Sequence, residues 1–347
     1  MDALADLLHG VRARSAAFCQ VVLEPPWAMR IADRAPLALA TALRGSAWII
    51  PDDGEAVLIG TGDVAVIKGP GSYIVADRPG TPPTIVVRPG NRLTTLDGVD
   101  VTASLRRSPH TRALASAPAG EAAAGTSIIA SGTYEAAGDV NGRLLAALPR
   151  VALVPFADIR SPIMNLLAGE VAQDEPGQQV VLDRLLDLAL ISTLRAWFAR
   201  SDADAPGWYR AHGDPIVGPA VRAIHDDPSH RWTVATLAAE AGASRAAFAR
   251  RFTSLVGEPP MTYLTHWRLD LAADLLHDSD ASIEAIAGRV GYANAFALTV
   301  AFKRVRGTTP RQHRRSPPPP DDAAGPTDGR TGDAVSGRAA RGAAGRR

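Results

Sequence analysis

The sequence predicts an α+β multidomain protein with a small β-barrel first, a helical connector next and an all-α domain last. Three observations predict this order. Short apolar segments separated by Gly, Pro and Asp fill the first third of the chain, longer segments with helical spacing follow, and one two-helix unit occurs twice after residue 231. We expect domains at 1–138, 139–212 and 213–315, and a disordered tail at 316–347.

The β-barrel prediction rests on apolar segments of strand length in the first 138 residues. Turn-forming residues, such as those at 51–54 and at Gly62-Asp63, separate the segments. Many short strands without crossover helices favour a barrel or a sandwich. Ahead of them, residues 1–9 have the pattern of an amphipathic helix. The predicted strands lie at 37–50, 56–60, 64–68 and 127–134.

A long apolar helix is predicted in the connector, at 178–198. Because it is apolar over much of its circumference, this helix is either deeply buried or shared with a second subunit. After it, Pro206, Gly207 and Gly213 predict a linker at 202–214. The two faces of the helix carry Leu182, Leu186, Ala189, Leu190 and Leu194 on one side and Val181, Leu185, Leu188, Ser192 and Arg195 on the other.

The all-α domain repeats one unit, which consists of a short apolar helix, a glycine turn and a second amphipathic helix. Gly242 lies in the turn of the first copy and Gly291 in that of the second. This is the sequence form of a helix-turn-helix, which places its second helix in the major groove of DNA. Two copies in tandem therefore indicate DNA binding. The matching residues are Val234, Leu237, Ala238, Ser244, Phe248 and Phe252 in the first copy and Ile283, Ile286, Ala287, Asn294, Leu298 and Phe302 in the second.

The second helix of the first copy carries the predicted base-reading residue. With Phe248 taken as the inward direction, at about 100° per residue, Arg250 points away from the core between small neighbours. An outward arginine of this kind suits bidentate contact with guanine, while the flanking Arg245 and Arg251 are expected to reach phosphates. The predicted DNA-contacting residues of this copy are Ser244, Arg245, Ala246, Arg250, Arg251 and Thr253.

The second helix of the second copy has a different outward face. With Leu298 inward, Phe296 and Val300 point outward, although large apolar side chains are unusual on a DNA-binding face. Either they contact thymine methyl groups or Phe296 folds back against the protein. Because the nearby cations suit phosphates, we expect the second copy mainly to add affinity. The predicted DNA-contacting residues of this copy are Asn294, Phe296, Thr299, Lys303 and Arg304.

Between the copies, a helix that begins at Pro259-Pro260 and reaches Leu276 is predicted from apolar residues at helical spacing. About 16 residues at about 1.5 Å each give a rod of roughly 24 Å. A rod of that order can set two recognition helices into successive major-groove segments, which lie about 34 Å apart on one face of DNA.

The charge distribution agrees with this division. Residues 228–315 carry 12 Lys/Arg and 7 Asp/Glu, a net charge of +5, whereas residues 1–227 carry 20 and 25, a net charge of −5. A basic domain attracts polyphosphate and binds it with salt-dependent affinity. The sequence has no apolar run of about 18 residues and no basic-then-apolar export pattern, so we expect a cytoplasmic protein without a membrane partner.

A set of residues spread over more than eighty positions of the C-terminal half forms a family pattern. The matching residues are Leu237, Ala238, Ser244, Phe248, Arg251, Phe252, Gly257, Pro260, Tyr263, Arg268, Ala272 and Leu275, and then Ile283, Ile286, Ala287, Gly291, Tyr292, Ala301, Phe302, Lys303, Arg304, Gly307, Pro310 and Arg314. With them, 232–314 resembles the DNA-binding domain of AraC/XylS-type transcriptional regulators. The resemblance implies a seven-helix double helix-turn-helix that binds promoter DNA. The chain departs from the pattern at Val300, where many members carry an arginine.

The β domain has motifs of its own, at 43–48 (Leu-Arg-Gly-Ser-Ala-Trp) and 62–67 (Gly-Asp-Val-Ala-Val-Ile), followed by Pro70. With them it resembles the cupin-type sensor domains found ahead of such DNA-binding domains. Metal-binding cupins place two histidines and a glutamate after the first glycine and another histidine where Tyr73 stands here, so we expect no metal and no cofactor. A barrel interior can hold a small ligand. The candidate ligand-binding residues are Trp27, Arg30, Arg44, Trp48, Tyr73 and Tyr134.

The chain is therefore expected to be a DNA-binding transcription regulator and not an enzyme, with a small effector acting on its cupin-like domain. Double-stranded promoter DNA is the expected partner. RNA polymerase and a second copy of the chain are further candidates, as for a dimeric activator. Two alternatives stay open. Cys19, the single cysteine, would be the sensor of a redox-responsive regulator, and the cupin-like domain would carry the chemistry of a small-molecule enzyme.

Overall fold

The computed structural model describes a chain with two β-sheets followed by helices. The described residues are 11–12, 19–108, 111–114, 125–136, 139–159, 162–171, 175–200 and 205–315. The helix predicted at 1–9 and the tail predicted at 316–347 lie outside them. In the part of the chain that is described, no helix is long and apolar enough to cross a membrane.

The N-terminal domain consists of fourteen described strands in two sheets. They are β1 Val11–Arg12, β2 Cys19–Leu23, β3 Ala28–Ile31, β4 Leu37–Arg44, β5 Ala47–Pro51, β6 Val57–Ile59, β7 Val64–Lys68, β8 Tyr73–Ala76, β9 Ile85–Arg88, β10 Arg92–Thr95, β11 Arg106–Ser108, β12 Thr111–Leu114, β13 Ser127–Ala136 and β14 Val151–Val154. One sheet has eight strands in the order β11-β12-β2-β13-β4-β7-β14, with β1 paired to β13. The other has six, in the order β10-β9-β3-β8-β5-β6. The predicted β-rich fold of this region is confirmed, although the eight-stranded sheet includes β14, which lies beyond the predicted boundary at residue 138.

The two sheets pack face to face around one apolar core. Met29 and Val75 of the six-stranded sheet share this core with Ala40 and Ile67 of the eight-stranded sheet. Strand β4, at the middle of the larger sheet, is buried over its first six residues. A strand covered on both faces requires a continuous apolar run rather than alternation. The segment that starts at Leu37 supplies such a run.

Helices make up the rest of the described chain. They are α1 Thr102–Leu105, α2 Asp139–Ala146, α3 Ile163–Val171, α4 Gln178–Phe198, α5 Gly207–His212, α6 Val217–Asp226, α7 Val234–Glu240, α8 Arg245–Val256, α9 Pro260–Asp278, α10 Ile283–Arg289, α11 Ala295–Arg306 and α12 Pro310–Arg315. Short 3-10 turns occur at Pro89–Asn91 and Phe156–Asp158. The seven helices α6 to α12 match the double helix-turn-helix that the resemblance implied.

Helix α4 covers the second face of the eight-stranded sheet. Leu186 is fully buried, and a Cβ added to Gly132 of β13 would come within 2.7 Å of its side chain. The Tyr134 hydroxyl donates a hydrogen bond of 2.7 Å to the Leu186 carbonyl oxygen. The opposite face of α4 is open, since Val181 and Leu188 are 43% and 47% exposed. The helix is therefore buried along one face in the monomer, and its other apolar face is solvent-exposed.

The region 202–214, expected to be a linker, contains helix α5 instead. Its Trp208 is buried, and the ring centroid lies 6.0 Å from that of Phe198 at the end of α4. Gly207, which suggested a loop, is the first residue of this helix. The helix passes close to α8 there, since a Cβ at Gly207 would lie 2.4 Å from the Val256 carbonyl oxygen. Tertiary packing has thus overridden the local loop signal.

Candidate nucleic-acid interface

The first helix-turn-helix comprises α7 and α8, and each helix start is capped. Thr233 and Thr236 form a reciprocal capping box, in which the Thr236 amide donates to the Thr233 hydroxyl at 3.1 Å and the Thr233 amide donates to the Thr236 hydroxyl at 2.8 Å. Gly242 adopts a φ of +60° in the turn, where an L side chain would be strained. Ser244 caps α8 by accepting a hydrogen bond from the Ala247 amide at 3.3 Å.

Helix α8 is fixed by its inner face. Phe248 and Phe252 are fully buried, and the Phe252 ring meets Tyr263 of α9 edge-on at 5.8 Å. The outward direction is exposed, with Arg250 between small residues. The composition of this face is the one predicted, and its contact with DNA stays a prediction. The exposed residues of α8 and its cap are Ser244, Arg245, Ala246, Arg250, Arg251, Thr253 and Ser254.

Arg251 is exposed as predicted and also forms an ion pair within the domain. Its guanidinium donates from Nε at 2.9 Å and from Nη2 at 2.6 Å to one carboxylate oxygen of Asp214. These hydrogen bonds hold the pKa of Asp214 down at about 2. The same carboxylate accepts hydrogen bonds of 2.9 Å from the amides of Ile216 and Val217 at the start of α6. Arg251 thus ties α8 to α6 while half of its side chain stays exposed, and its contact with a phosphate stays a prediction.

The second helix-turn-helix, α10 and α11, repeats this construction. Ser282 caps α10 by accepting from the Ala285 amide at 3.1 Å, and Gly291 turns the chain at a φ of +82°. Asn294 caps α11, with its Oδ1 2.9 Å from the Ala297 amide. A carboxylate that the sequence did not point to is also present, since Glu284 accepts from the first amide of α11 at 2.8 Å. Favourable charge at a helix start stabilises α11 in this position.

The outward face of α11 exposes the two apolar residues. Phe296 is 78% exposed and Val300 is 52% exposed, so Phe296 does not fold back against the protein. Lys303 and Arg304 are exposed beside them. The hydroxyl of Thr299 donates to the Ala295 carbonyl oxygen of its own helix at 2.7 Å. The predicted outward residues are therefore in place, and their contact with DNA stays a prediction.

Helix α9 joins the two copies. It runs for 19 residues, about 28 Å at about 1.5 Å per residue. Its Arg268 donates hydrogen bonds of 2.7 Å to the carbonyl oxygens of Pro228 and His230, ahead of the first copy, and its guanidinium lies 6.0 Å from the Tyr292 ring in the second. Burial lowers the pKa of Arg268 from its ordinary value. In the sequence, Arg268 belonged to the family pattern but had no assigned role. In the structure it contacts residues ahead of the first copy and in the second copy, and these contacts fix the angle between the copies.

The six candidate ligand-binding residues do not form one site. Trp27 and Tyr73 face the core between the sheets, whereas Tyr134 lies on the opposite side of the larger sheet, under α4. Arg30 and Trp48 are only half-buried, and Arg30 pairs with Asp52 at 2.6 Å. The sixth residue, Arg44, is exposed. Strand alternation places these side chains on different faces, so they do not line one common pocket, and the role of each in ligand binding stays a prediction.

A cavity of about 530 Å³ lies elsewhere, at the end of α4. Two arginines, Arg195 and Arg200, line it, and Arg200 pairs with Asp158 across it at 3.5 Å. The other lining residues are Ala157, Ser192, Ala196 and Ala199. Its size suits a small molecule. Sequence periodicity missed this site because its residues come from a helix end and a 3-10 turn that are far apart along the chain.

A metal site was not expected in the β domain. Over the described ranges, no group of three or more His, Cys, Asp or Glu side chains is placed to hold a metal ion. Cys19 lies at the start of β2, where its backbone pairs with Ser131 of β13, and its side chain is outside what the structure describes.

Two protein-family models match the chain. One, described as a cupin, matches residues 2–199, and the other, described as a helix-turn-helix domain, matches residues 237–316. The cupin match extends beyond residue 138 and includes the helix at 178–198. The helix-turn-helix match includes both recognition helices, α8 and α11.

Similar proteins fall into one functional group. An AraC-like transcription regulator of Streptomyces antibioticus is 31% identical over 91% of this chain and 99% of its own length. RclR of Escherichia coli strain K12, an RCS-specific HTH-type transcriptional activator, is 37% identical over 29% of this chain and 35% of its own length. Among solved structures, the DNA-binding domain of AdpA, a global transcriptional factor in complex with a target DNA, is 37% identical over 29% of this chain and 91% of that one, with a TM-score of 0.28.

Proposed function

The chain belongs to the AraC-type transcriptional regulators with an N-terminal cupin domain and a C-terminal helix-turn-helix domain, and we propose that it recognises its promoter sites mainly through Arg250. The resemblances seen at 232–314 and in the β domain are confirmed by this membership. Its relatives are transcriptional regulators and not enzymes. DNA binding through the helix-turn-helix domain follows from the family, and the identity of the base reader is the proposal.

The exposed position of Arg250 carries this proposal. In the described chain no hydrogen bond or ion pair engages its guanidinium, whereas the neighbouring Arg251 is held by Asp214. Ala246 and Thr253 on either side are small, so α8 can lie deep in the groove. A free guanidinium at that point offers two parallel donors to O6 and N7 of guanine.

A selection of bound duplexes from a random library, followed by titration of single-base variants, tests the assignment. Arg250→Ala should cost about 1–3 kcal/mol and remove the preference at one base pair. Arg250→Lys should keep most of the affinity but little of the preference, because it lacks the planar fork. Arg245→Ala is the matched control and should weaken all sequences alike. Arg250→Ala protein that retains the wild-type preference would contradict the assignment.

A small effector is proposed to act through the junction of α4 and α5. The cavity beside Arg195 lies at the end of α4, and Phe198 there contacts Trp208 of α5. Helix α5 in turn packs on the last turn of α8 through Gly207. A ligand that binds two arrangements of this junction unequally would therefore shift the recognition helix. In reporter strains in which Phe198 or Trp208 is replaced, the promoter activity should be the same in every growth medium. A variant whose promoter activity changes with the medium as the wild type's does would contradict this route.

A homodimer is proposed through the open face of α4. Val181 and Leu188 are exposed two turns apart on a 21-residue helix, which is the spacing of a helix-pairing seam. Sedimentation should give the mass of a dimer for the wild-type chain and the mass of a monomer for Leu188→Glu. Leu58→Glu, at a similarly exposed position on β6, is the control and should leave the dimer intact. Equal masses for the wild-type chain and Leu188→Glu would remove this interface from consideration.

Activation is the proposed direction of control, with RNA polymerase as the second partner. Its support is the likeness of the helix-turn-helix region to RclR, which is a transcriptional activator. Transcription in vitro from a bound promoter should yield more transcript when the protein is added to RNA polymerase. Less transcript at the same promoter occupancy would identify a repressor instead.

A further inference from the structure

The outward face of α11 carries two large apolar side chains that the described residues of the chain leave exposed. Phe296 and Val300 stand four residues apart, one turn along α11, and both are more than half exposed. Residues at this spacing are neighbours on a helix surface. An exposed apolar pair bordered by Lys303 and Arg304 is typical of an interaction surface rather than of a solvated helix face.

The correspondence between the two helix-turn-helix copies indicates which partner this face of α11 meets. The buried Phe248 and Phe252 of α8 correspond to the buried Leu298 and Phe302 of α11 at an offset of 50 residues. At the same offset, Phe296 and Val300 occupy the places of Ala246 and Arg250. Both helices begin at an equivalent cap, Ser244 or Asn294, and end at a glycine. If both helices turn the equivalent side to a major groove, α11 therefore presents Phe296 and Val300 there, where α8 presents Ala246 and Arg250.

Two polar side chains on that side of α11 each make a hydrogen bond to the backbone of their own helix. The Asn294 side chain accepts the cap hydrogen bond from Ala297, and the Thr299 hydroxyl donates to Ala295. Lys303 and Arg304 suit the phosphates at the groove edge, and their charge favours DNA over an apolar protein surface. The side chains at the centre of this outward face, Phe296 and Val300, are apolar, and they are the groups best placed to meet a base edge. In the major groove, the apolar group of a base is the C5 methyl of thymine.

We propose that Phe296 and Val300 make the second helix-turn-helix a thymine reader, through van der Waals contact with thymine C5 methyl groups. This inference rests on the proposed function, in which Arg250 reads a guanine. The thymine positions should lie about one helical turn, 10 to 10.5 base pairs, from that guanine. The second copy then specifies sequence, rather than adding only affinity.

Uracil substitution isolates the methyl group, because deoxyuridine pairs as thymidine does and lacks only the C5 methyl. In a site selected by the full-length protein, each thymidine is replaced in turn and the dissociation constant is measured. One or two positions a helical turn from the guanine should lose about fourfold in affinity per methyl. In Phe296→Ala with Val300→Ala, the same substitutions should have no effect. Leu58→Ala, which removes an exposed apolar side chain in the β domain, should keep the wild-type sensitivity.

The outcomes separate this inference from the proposal beneath it. A site with an Arg250-dependent guanine but no uracil-sensitive position overturns thymine reading and leaves the proposed function standing. Uracil sensitivity that persists in the double variant also overturns it. A double variant with unchanged DNA binding but reduced activation would identify a protein contact and likewise overturn it. A chain that selects no sequence at all removes both. Circular dichroism of the variants should match the wild type, because Phe296 packs against little of the protein.

Discussion

The pair of Asp214 and Arg251 should contribute measurable stability to the first helix-turn-helix. Asp214→Asn removes the charge and keeps one oxygen for the Ile216 and Val217 amides, whereas Asp214→Ala removes both. A pKa lowered from 3.8 to about 2 corresponds to at most about 2.4 kcal/mol. Water around the half-exposed guanidinium screens this to about 1 kcal/mol. Loss of the helix-start hydrogen bonds adds about 1 kcal/mol for Asp214→Ala.

Amide hydrogen exchange gives the opening free energy of α6 directly in the full-length chain. We expect it to fall by about 1 kcal/mol in Asp214→Asn and about 2 kcal/mol in Asp214→Ala. Because the pKa of the folded state is depressed, the contribution is complete above pH 3.8 and is lost as the pH falls toward 2. The difference between wild type and Asp214→Asn should thus be the same at pH 5 and pH 8. Wild-type protection of α6 in Asp214→Asn would refute the role of the pair.

Three further predictions concern packing and salt dependence. Arg306→Met removes one ion-pair partner of the mostly buried Asp270, 2.5 Å away. It should lower the unfolding free energy by about 1–3 kcal/mol, against less than about 0.5 kcal/mol for the exposed Arg304→Gln. Equal losses in urea unfolding would contradict this. Gly207→Ala should lower the unfolding free energy by about 2 kcal/mol, because the added Cβ meets backbone atoms. Gly213→Ala places its Cβ in open space and should leave the unfolding free energy unchanged in the same assay. Lys303→Gln should reduce the slope of log affinity against log salt by about 1 at unchanged sequence preference, and an unchanged slope would remove Lys303 from the phosphate contacts.

Local signals made the helix-turn-helix units predictable. Ser244 and Asn294 are caps, Gly242 and Gly291 turn the chain at positive φ, and the apolar spacing of each helix defines its inner face. Each of these features depends on residues within one or two turns of one another. The outward direction follows from the inward one by geometry. For that reason the exposure of Arg250 could be predicted without knowledge of the tertiary fold.

Contacts between distant residues could not be predicted in this way. Asp214 and Arg251 lie 37 residues apart, and no periodic pattern connects a loop aspartate to one of several arginines on α8. The β domain shows the same limit. Alternation places Tyr73 and Tyr134 on sheet faces, but the face that each occupies depends on which sheet and which helix cover it. Tyr134 lies under α4 and Tyr73 lies between the sheets. The sequence alone could not predict that these two side chains lie on opposite sides of the larger sheet.

The two copies differ where DNA would be read and agree where the protein packs. Close packing restricts the buried positions, so Phe252 and Phe302 are the same residue type and both are fully buried. The outward positions are free of that restriction, and there Arg250 is replaced by Val300. If Arg250 reads a guanine and Val300 a thymine, as proposed, one monomer distinguishes the two directions of its site. It would bind in a single orientation, and a dimer would therefore require two such sites with a defined relative direction.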